Sequence, residues 1–254
     1  MISQQQLNDF YTSLLKPEAY SDYCPNGLQV EGAEQINKIA FAVSATKDSI
    51  EQAVKHNADA LVVHHGLFWK FHGSKTLTGP FAKRVFPLVK NDVNLFAYHL
   101  PLDGHAEVGN AAMLATLLDC VEQQGFGDYK GATTGVKGVL EQAVTAQALA
   151  VKLEQVLNHQ VVLASADSSQ LIRSLGIITG GANSQWVLAK EEGLDAYITG
   201  EISEHDWHES QESGIHMFAG GHYATELFGV QALMIKTQQQ FDLPCVFIDS
   251  DNPA

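Results

Sequence analysis

Short apolar runs alternate with amphipathic stretches along most of this chain. The run at 58–65 has the length of a buried strand, and the stretch 46–57 before it has helical spacing, with Thr46 in the position of an N-cap. By the same criteria we predict further strands at 38–45, 93–100, 161–166, 173–180, 194–200, 215–221 and 244–249, and further helices at 80–91, 107–119, 145–158, 183–193, 201–214 and from about Ala224. Strands joined in this way by helices predict an α/β protein whose sheets are covered by helices.

The same pattern predicts two similar α/β domains. A turn-rich stretch at 123–135 is suited to a boundary, and the segments 53–66 and 188–201 share a helix, an Asp-Ala pair, a strand and a polar pair. So short a similarity is compatible with an internal duplication, and equally with the apolar strands that any two βα units share. The last strand is expected to return to the first domain. The predicted domains are therefore 1–126 plus 224–254, and 127–223.

The composition fits a globular protein of a reducing compartment. The 254 residues are 45% hydrophobic, and 29 acidic residues against 15 basic ones give a formal charge of −14. Because such a charge repels phosphate, we expect neither duplex DNA nor a membrane as a partner. Cys24, Cys120 and Cys245 form no disulfide framework or CxxC pattern. The first residues lack the basic region and apolar core typical of a signal peptide, and no apolar run approaches about 20 residues. We therefore expect a cytoplasmic location.

Side chains that can bind a metal follow four of the predicted strands, where α/β proteins gather functional groups. They are His64 and His65, His99 with Asp103 and His105, Glu201, and His222 with Glu226. Adjacent side chains of a strand point to opposite faces, so the two neighbouring histidines are better suited to two ions than to one. The i, i+4 spacing of His222 and Glu226 places both on one helix face, and a carboxylate can bridge two cations. Mixed imidazole and carboxylate ligands suit Zn, Mn, Fe or Ni.

Each of these segments also has an explanation without a metal. The histidine pair alone is compatible with a polar turn, and Asp103 with an Asp-Gly turn. Glu226 is compatible with a first-turn carboxylate that interacts favourably with the helix dipole. His205 and His208 are interpreted as part of a solvated helix face. Spacing by itself leaves the metal hypothesis and these alternatives open.

Four motifs taken together resemble one protein family. VVHHGLFWK, YHLPLDGHAEVGN, ITGEISEH and AGGHYATE are similar, in content and in order, to motifs of the GTP cyclohydrolase 1 type 2 homologues, also called NGG-interacting-factor-three-like proteins. The resemblance spans essentially the whole chain. Many relatives carry proline where this chain has Gly66, a difference that affects the stiffness of a loop and not a ligand. The chain resembles the compact bacterial form, because it has no room for the middle domain inserted in longer relatives.

The resemblance implies a centre of two divalent metal ions per subunit, Fe, Zn, Mn or Ni, in the cleft between the two domains. On the family's pattern, His64 and Asp103 bind one ion. His65 and His222 bind the other, and Glu226 bridges both.

Two other residues in the family motifs are not ligands on this pattern. We assign His99 and Glu201 to the surroundings of the ligands or to the substrate pocket. The resemblance also implies a homo-oligomer in the form of a ring-shaped hexamer, which composition alone does not reveal.

Two functions of different classes are compatible with such a centre. The first is a metal-dependent hydrolase acting on a nucleotide or related small molecule, because two ions about 3.5–4 Å apart can activate a water and hold a phosphate or carbonyl oxygen. The family name implies GTP, but the chain has no GxxxxGK[ST] loop and no glycine-rich nucleotide fingerprint. The second is a non-enzymatic oligomeric scaffold or metal-handling protein. We predict the hydrolase, and assign no catalytic side chain and no substrate.

Overall fold

A computed structural model describes residues 1–254. It contains thirteen strands and ten α-helices. The strands are β1 (Ile2–Ser3), β2 (Gly27–Val30), β3 (Gln35–Ile36), β4 (Ile39–Ser44), β5 (Ala60–His65), β6 (Asn94–Ala97), β7 (Cys120–Tyr129), β8 (Ala132–Thr145), β9 (Val162–Ala164), β10 (Leu171–Ile177), β11 (Ala196–Thr199), β12 (His216–Ala219) and β13 (Cys245–Phe247). The helices are α1 (Gln4–Leu15), α2 (Lys47–Lys55), α3 (Gly79–Lys90), α4 (Leu100–Asp103), α5 (Asn110–Leu117), α6 (Ala146–Leu157), α7 (Trp186–Glu191), α8 (Glu204–Glu212), α9 (His222–Thr225) and α10 (Leu227–Phe241).

The chain forms two compact units. The first comprises Met1–Leu102 with Val230–Asp251, and the second comprises Asp103–Gly229 with Asn252–Ala254. The predicted domains were 1–126 plus 224–254 and 127–223, so the units divide the chain at other points. The physical reason is that α5 contributes Ala111 and Leu114 to the same apolar core as Leu140 of β8, which joins this helix to the second unit.

The first unit contains a five-stranded sheet in the order β13-β4-β5-β6-β2. Strands β13, β4, β5 and β6 are parallel, and β2 pairs with β6 in the antiparallel direction at the edge. Nearly every residue of β4 and β5 is buried, as expected for parallel strands covered on both faces. The pairing of β13 with β4 confirms that the last strand returns to the first part of the chain. Thr46 caps α2 as predicted, because its hydroxyl accepts a 3.0 Å hydrogen bond from the N–H of Ser49.

The second unit contains a six-stranded sheet in the order β7-β8-β10-β11-β12-β9. The stretch 123–135 lies in the antiparallel hairpin of β7 and β8, where the sequence pattern predicted turns. Residues 121–125 of β7 are all exposed, so polar residues and glycine are tolerated there and give the strand a turn-like composition. The prediction of turns in this stretch was right only at residues 130–131, which connect the two strands.

The two units repeat one order of elements. Each has a helix and an antiparallel edge strand, then three parallel strands joined by helices, then a short helix: α1-β2-β4-α2-β5-α3-β6-α4 in the first unit and α6-β9-β10-α7-β11-α8-β12-α9 in the second. Their registers match as well, since Ala60 of β5 pairs with Ile39 and Ala196 of β11 pairs with Leu175 at the start of each parallel pair. This shared topology favours an internal duplication, one of the two explanations that the sequence left open.

None of the helices combines the length and the apolar character that crossing a bilayer requires.

Candidate metal centre

In the first unit, two adjacent imidazoles end the central strand. His64 is completely buried, and its Nδ1 lies 3.0 Å from the carbonyl oxygen of Tyr98. A carbonyl only accepts, so Nδ1 carries the proton and Nε2 carries the lone pair that a metal needs. His65 has its Nδ1 within 3.0 Å of the hydroxyl of Ser44 on the neighbouring strand β4. Both rings are therefore held by their Nδ1 atoms, as is usual for histidines that ligate metals through Nε2.

A third imidazole of this unit joins the pair. One ring nitrogen of each of His64, His65 and His99 lies within 4.8 Å of the other two, so the three could hold a metal ion together. His99 donates from Nδ1 to the carboxylate of Asp22 at 3.0 Å. On the family's pattern His99 is not a metal ligand. In the structure, however, one of its ring nitrogens lies close enough to those of His64 and His65 to reach the same metal position.

The Asp22 carboxylate is built into the fold. It is buried, and it accepts hydrogen bonds from the N–H groups of Cys24 and Leu100 at 3.0 and 2.9 Å and from the Asn26 amide at 3.0 Å. Burial favours the neutral acid, but the hydrogen bond and charge of His99 outweigh it and lower the pKa of Asp22 to about 2. Asp22 has no signal in the sequence as a functional residue, since an aspartate near Pro-Asn-Gly is typical of a turn.

In the second unit, carboxylates surround one imidazole. Nδ1 of His222 lies 2.6 Å from Oε1 of Glu201, and its Nε2 lies 3.3 Å from Oε2 of Glu226. Burial favours the neutral ring, but Glu226 and Glu201 together raise the pKa of His222 to about 9. Glu201 thus holds the ring through Nδ1, which agrees with the expected position of this residue in the surroundings of a ligand.

Glu226 is nearly fully buried and fits closely against the backbone of the second unit. Gly180 has φ +67°, and a Cβ atom at this position would overlap Oε1 of Glu226. The N–H of Gly180 donates to the hydroxyl of Thr225 at 3.1 Å, which fixes the loop after β10 against α9. Glycine is therefore required here both for its conformation and for the space taken by the carboxylate.

Asp103 is another buried carboxylate of the second unit. Its Oδ1 accepts a 2.8 Å hydrogen bond from the Asn110 amide and a 3.3 Å hydrogen bond from the Thr179 hydroxyl. The Asn110 side-chain oxygen in turn accepts from the N–H of Gly229 at 3.0 Å. The carboxylate is thus oriented by two donors, of which Asn110 ends the motif YHLPLDGHAEVGN and gave no separate signal.

The remaining candidate histidines have other roles. His105 accepts from the N–H groups of Glu107 and Val108, each at 3.1 Å, and so shapes the loop before α5. The side chains of His205 and His208 are 61% and 62% exposed on α8, as interpreted from the sequence.

The donors present in each unit fit a divalent metal. All four candidate imidazoles, His64, His65, His99 and His222, have Nδ1 engaged by a carbonyl, a hydroxyl or a carboxylate. Such engagement selects the tautomer and orients the ring of a metal ligand. Buried carboxylates without a cation are rare unless they are paired, and the second unit buries Asp103 and Glu226 in addition to Asp206, which accepts from Asn183 and Trp186. Imidazole and carboxylate donors together suit first-row metals such as Zn, Mn, Fe and Ni.

Comparison with known proteins agrees with the resemblance of the motifs. The model of the family Duf34/NIF3 (NGG1p interacting factor 3) matches residues 2–253. The chain belongs to this family. A relative from Pasteurella multocida, named GTP cyclohydrolase 1 type 2 homolog, is 45% identical over 249 residues, covering 98% of each chain. One of the same name from Haemophilus influenzae is 42% identical over 250 residues, again covering 98% of each.

Solved structures of family members share the fold. The protein ybgI, described as of unknown function, superposes with a TM-score of 0.92 at 38% identity over 100% of both chains. TTHA1606 from Thermus thermophilus superposes with a TM-score of 0.89 at 30% identity, also over 100% of both. The α/β fold class is thereby confirmed.

Proposed function

We propose that this family member binds two divalent metal ions and is a metal-dependent hydrolase of a nucleotide or related small molecule. The observation that carries the proposal is the outer support of the candidate ligands. Imidazole Nδ1 atoms are held by Tyr98, Ser44 and Glu201, and the Asp103 carboxylate is held by Asn110. Such support is typical of metal ligands.

The proposed ligand assignment is that of the family pattern. His64 and Asp103 would hold one ion, His65 and His222 the other, and Glu226 would bridge them. The native metal is Fe, Zn, Mn or Ni. When bound, two such ions polarise a phosphate or carbonyl oxygen and lower the pKa of a water.

The protein's own residues prepare this chemistry. Tyr98 and Ser44 keep the histidine rings oriented, so that little reorganisation is needed when a substrate binds. Glu201 accepts a hydrogen bond from the Nδ1–H group of His222, which makes that ring a better electron donor. The burial of Asp103 and Glu226 strengthens their interaction with cations, because water screens charges less in such surroundings.

The hydrolase proposal is tested on metal-free protein reloaded separately with Mn, Fe, Zn and Ni. Each form is assayed against phosphomonoesters, phosphodiesters, nucleotides including GTP, and amides. We expect turnover that depends on the metal, disappears in His64→Ala and persists in His205→Ala, the matched change at a largely exposed histidine. Turnover that survives both metal removal and His64→Ala would contradict the proposal.

A filled site with no turnover across this panel would favour the second function, a metal-handling protein or an oligomeric scaffold. The family description as an interacting factor is the reason to retain this alternative. Metal content and turnover are measured on the same samples, so the two functions are separated in one experiment.

We also propose a ring-shaped homohexamer that does not bind duplex DNA. Each subunit carries a formal charge of −14, and six copies multiply the repulsion of phosphate. Light scattering at micromolar concentration tests the assembly, and a monomeric mass would contradict it. Submicromolar, salt-sensitive affinity for duplex DNA would contradict the second part.

A further inference from the structure

Three aromatic side chains form a ledge in the first unit: Tyr23, Trp69 and Phe71. The rings of Trp69 and Phe71 are stacked, with centroids 5.5 Å apart and an interplanar angle of 29°. Tyr23 lies 5.8 Å from the first of these rings and 5.6 Å from the second. Phe71 is 66% exposed, an unusual position for a phenylalanine, which here buries little apolar surface.

The ledge adjoins the histidine group directly. The ring of Trp69 lies 5.1 Å from that of His99 and 5.9 Å from that of His65. Tyr23 lies 5.1 Å from His99 on the other side. A ligand held at these histidines would therefore extend over the faces of aromatic rings.

Hydrogen bonds fix the ledge to the loop that carries it. The indole Nε1 of Trp69 donates to the carbonyl of Gly66 at 3.1 Å, immediately after the histidine pair. The N–H of Lys70 donates to the carbonyl of Tyr23 at 2.8 Å, and its ammonium donates to the carbonyl of Asp22. The Trp69 ring, held in this way, loses little conformational entropy when a ligand stacks on it, and the backbone bond of Lys70 ties Tyr23 to the same loop.

A cationic cavity continues from the exposed end of the ledge. The ring of His72 meets that of Phe71 edge-on at 4.6 Å, and His72 also lines a surface cavity of about 560 Å³. Lys75, Arg84 and the hydroxyls of Ser74, Thr76 and Thr78 line the same cavity. Two cations and three hydroxyls, in a chain whose formal charge is −14, are complementary to an anion.

We propose that the ledge is a stacking subsite for a planar aromatic ring, in a ligand whose other end is anionic and lies in the cavity lined by Lys75 and Arg84. The inference rests on the proposed function, because it treats the ledge as the substrate-facing wall beside the metal ligands. It specifies the substrate class: a heteroaromatic base joined to a phosphate. Stacking on aromatic side chains recognises such rings without sequence- or base-specific hydrogen bonds.

The test is an isothermal titration of the full-length, metal-loaded protein with three probes: GMP, guanosine and ribose 5-phosphate. Phe71→Leu removes a stacking face at an exposed position, and Phe86→Leu is its control at a 44% exposed phenylalanine outside the ledge. Arg84→Gln removes a cation of the cavity, and Lys90→Gln is its control on the same helix α3.

The two variants are expected to separate the two ends of the ligand. Phe71→Leu should weaken GMP and guanosine by about tenfold and leave ribose 5-phosphate unchanged, because stacking on one aromatic side chain contributes on that order. Arg84→Gln should weaken GMP and ribose 5-phosphate and leave guanosine unchanged. Both controls should bind all probes as the wild type does.

Three results would overturn the inference. The first is that the wild type binds neither GMP nor guanosine at millimolar concentration. The second is that Phe71→Leu binds GMP as tightly as the wild type. The third is that Phe71→Leu changes the oligomeric mass, which would assign the ledge to a contact between copies of the chain. The titration requires no turnover, so these results are distinct from failure of the hydrolase assay. If the ledge binds no such ring, the proposed function stands as a metal-dependent hydrolase of another substrate class.

Discussion

The central strands of the two units end differently although the units repeat one topology. Five positions after Ala60, which begins β5, the first unit has His65, preceded by His64. Five positions after Ala196, which begins β11, the second unit has Glu201, preceded by Gly200. One repeat therefore offers neutral nitrogen donors where the other offers a carboxylate.

After the next strand the two repeats carry the same kinds of side chain. Both continue into a histidine followed four residues later by a carboxylate, His99 with Asp103 and His222 with Glu226. The histidine is held by a fully enclosed carboxylate, Asp22, in the first unit and by the half-exposed Glu201 in the second. The repeats therefore differ after their central strands, and after the next strand they differ only in how enclosed the supporting carboxylate is. Under the proposed function, the carboxylates neutralise the ions that the imidazoles orient.

The largest expected effect is that of Glu226→Ala. A bridging carboxylate serves both ions, and its removal also leaves two cations close together with less negative charge between them. We expect both ions to be lost, whereas His65→Ala should remove mainly one. Elemental analysis of the purified variants measures this, and full wild-type metal content in Glu226→Ala would refute the bridging role.

Gly180→Ala tests how closely the second unit is built around its carboxylate. An added Cβ would overlap Glu226 Oε1, and the φ of +67° is itself unfavourable for alanine. Gly193→Ala is the matched control, since Gly193 has φ +70° with no atom near its Cβ position. We expect about 1 kcal/mol lower stability in the control and about 3 kcal/mol or more in Gly180→Ala. Urea denaturation of the metal-free proteins measures both, and equal losses would argue against a strict fit.

Asp22→Asn tests the support of the imidazole group in the first unit. The pKa of Asp22 is lowered from 3.8 to about 2, so its charge stabilises the fold above pH 4, and this stabilisation is lost as the pH falls towards 2. We expect the variant to be about 2 kcal/mol less stable than the wild type at pH 7, and this difference in stability should decrease below pH 4. The exposed Asp251→Asn is the control. Denaturation curves between pH 2.5 and 7 measure the difference in stability between the wild type and Asp22→Asn. A difference that does not depend on pH would assign the loss of stability to packing.

Glu201→Gln is expected to have the smallest effect. The pKa of His222 is raised to about 9 in the metal-free protein, so metal binding at pH 7 must displace a proton, and affinity should rise with pH until about 9. By linkage, this ring stabilises the metal-free fold below pH 6.5, and that contribution disappears as the pH rises through 9. The glutamine variant should release fewer protons and bind metal about tenfold more weakly.

Calorimetry of metal binding in buffers of different ionisation enthalpy counts the protons released by the wild type and by Glu201→Gln. Equal proton release from both proteins would show that Glu201 does not set the protonation of His222.

Parts of the fold were predictable because they depend on local pattern. The parallel strands are short buried apolar runs between helices, and the period of the pattern distinguishes the two kinds of element. The hairpin of β7 and β8 was missed, because the exposed residues 121–125 of β7 are mostly polar residues and glycine, which also occur in turns. A cross-strand partner, which no local window contains, is what makes that stretch a strand.

The candidate site, like the fold, was predictable only where the signal is local in the sequence. His64, Asp103, His222 and Glu226 stand out because each follows an apolar strand and lies in a motif of the family. Asp22 does not, since it lies 77 residues from His99 and reads locally as a turn residue. The assignment of ions to these residues stays a prediction until metal content is measured.

The sequence by itself determined the fold class and the family, and it predicted most of the candidate donor side chains. Periodicity, motif order and residue chemistry are properties of the chain and need no coordinates to be recognised. Only the tertiary structure decided which groups hold Nδ1 of each imidazole, why Gly180 must lack a side chain, and that Tyr23, Trp69 and Phe71 form one surface. The physical reason is that hydrogen bonds, steric fit and ring stacking act over a few ångströms between segments that are far apart in the chain.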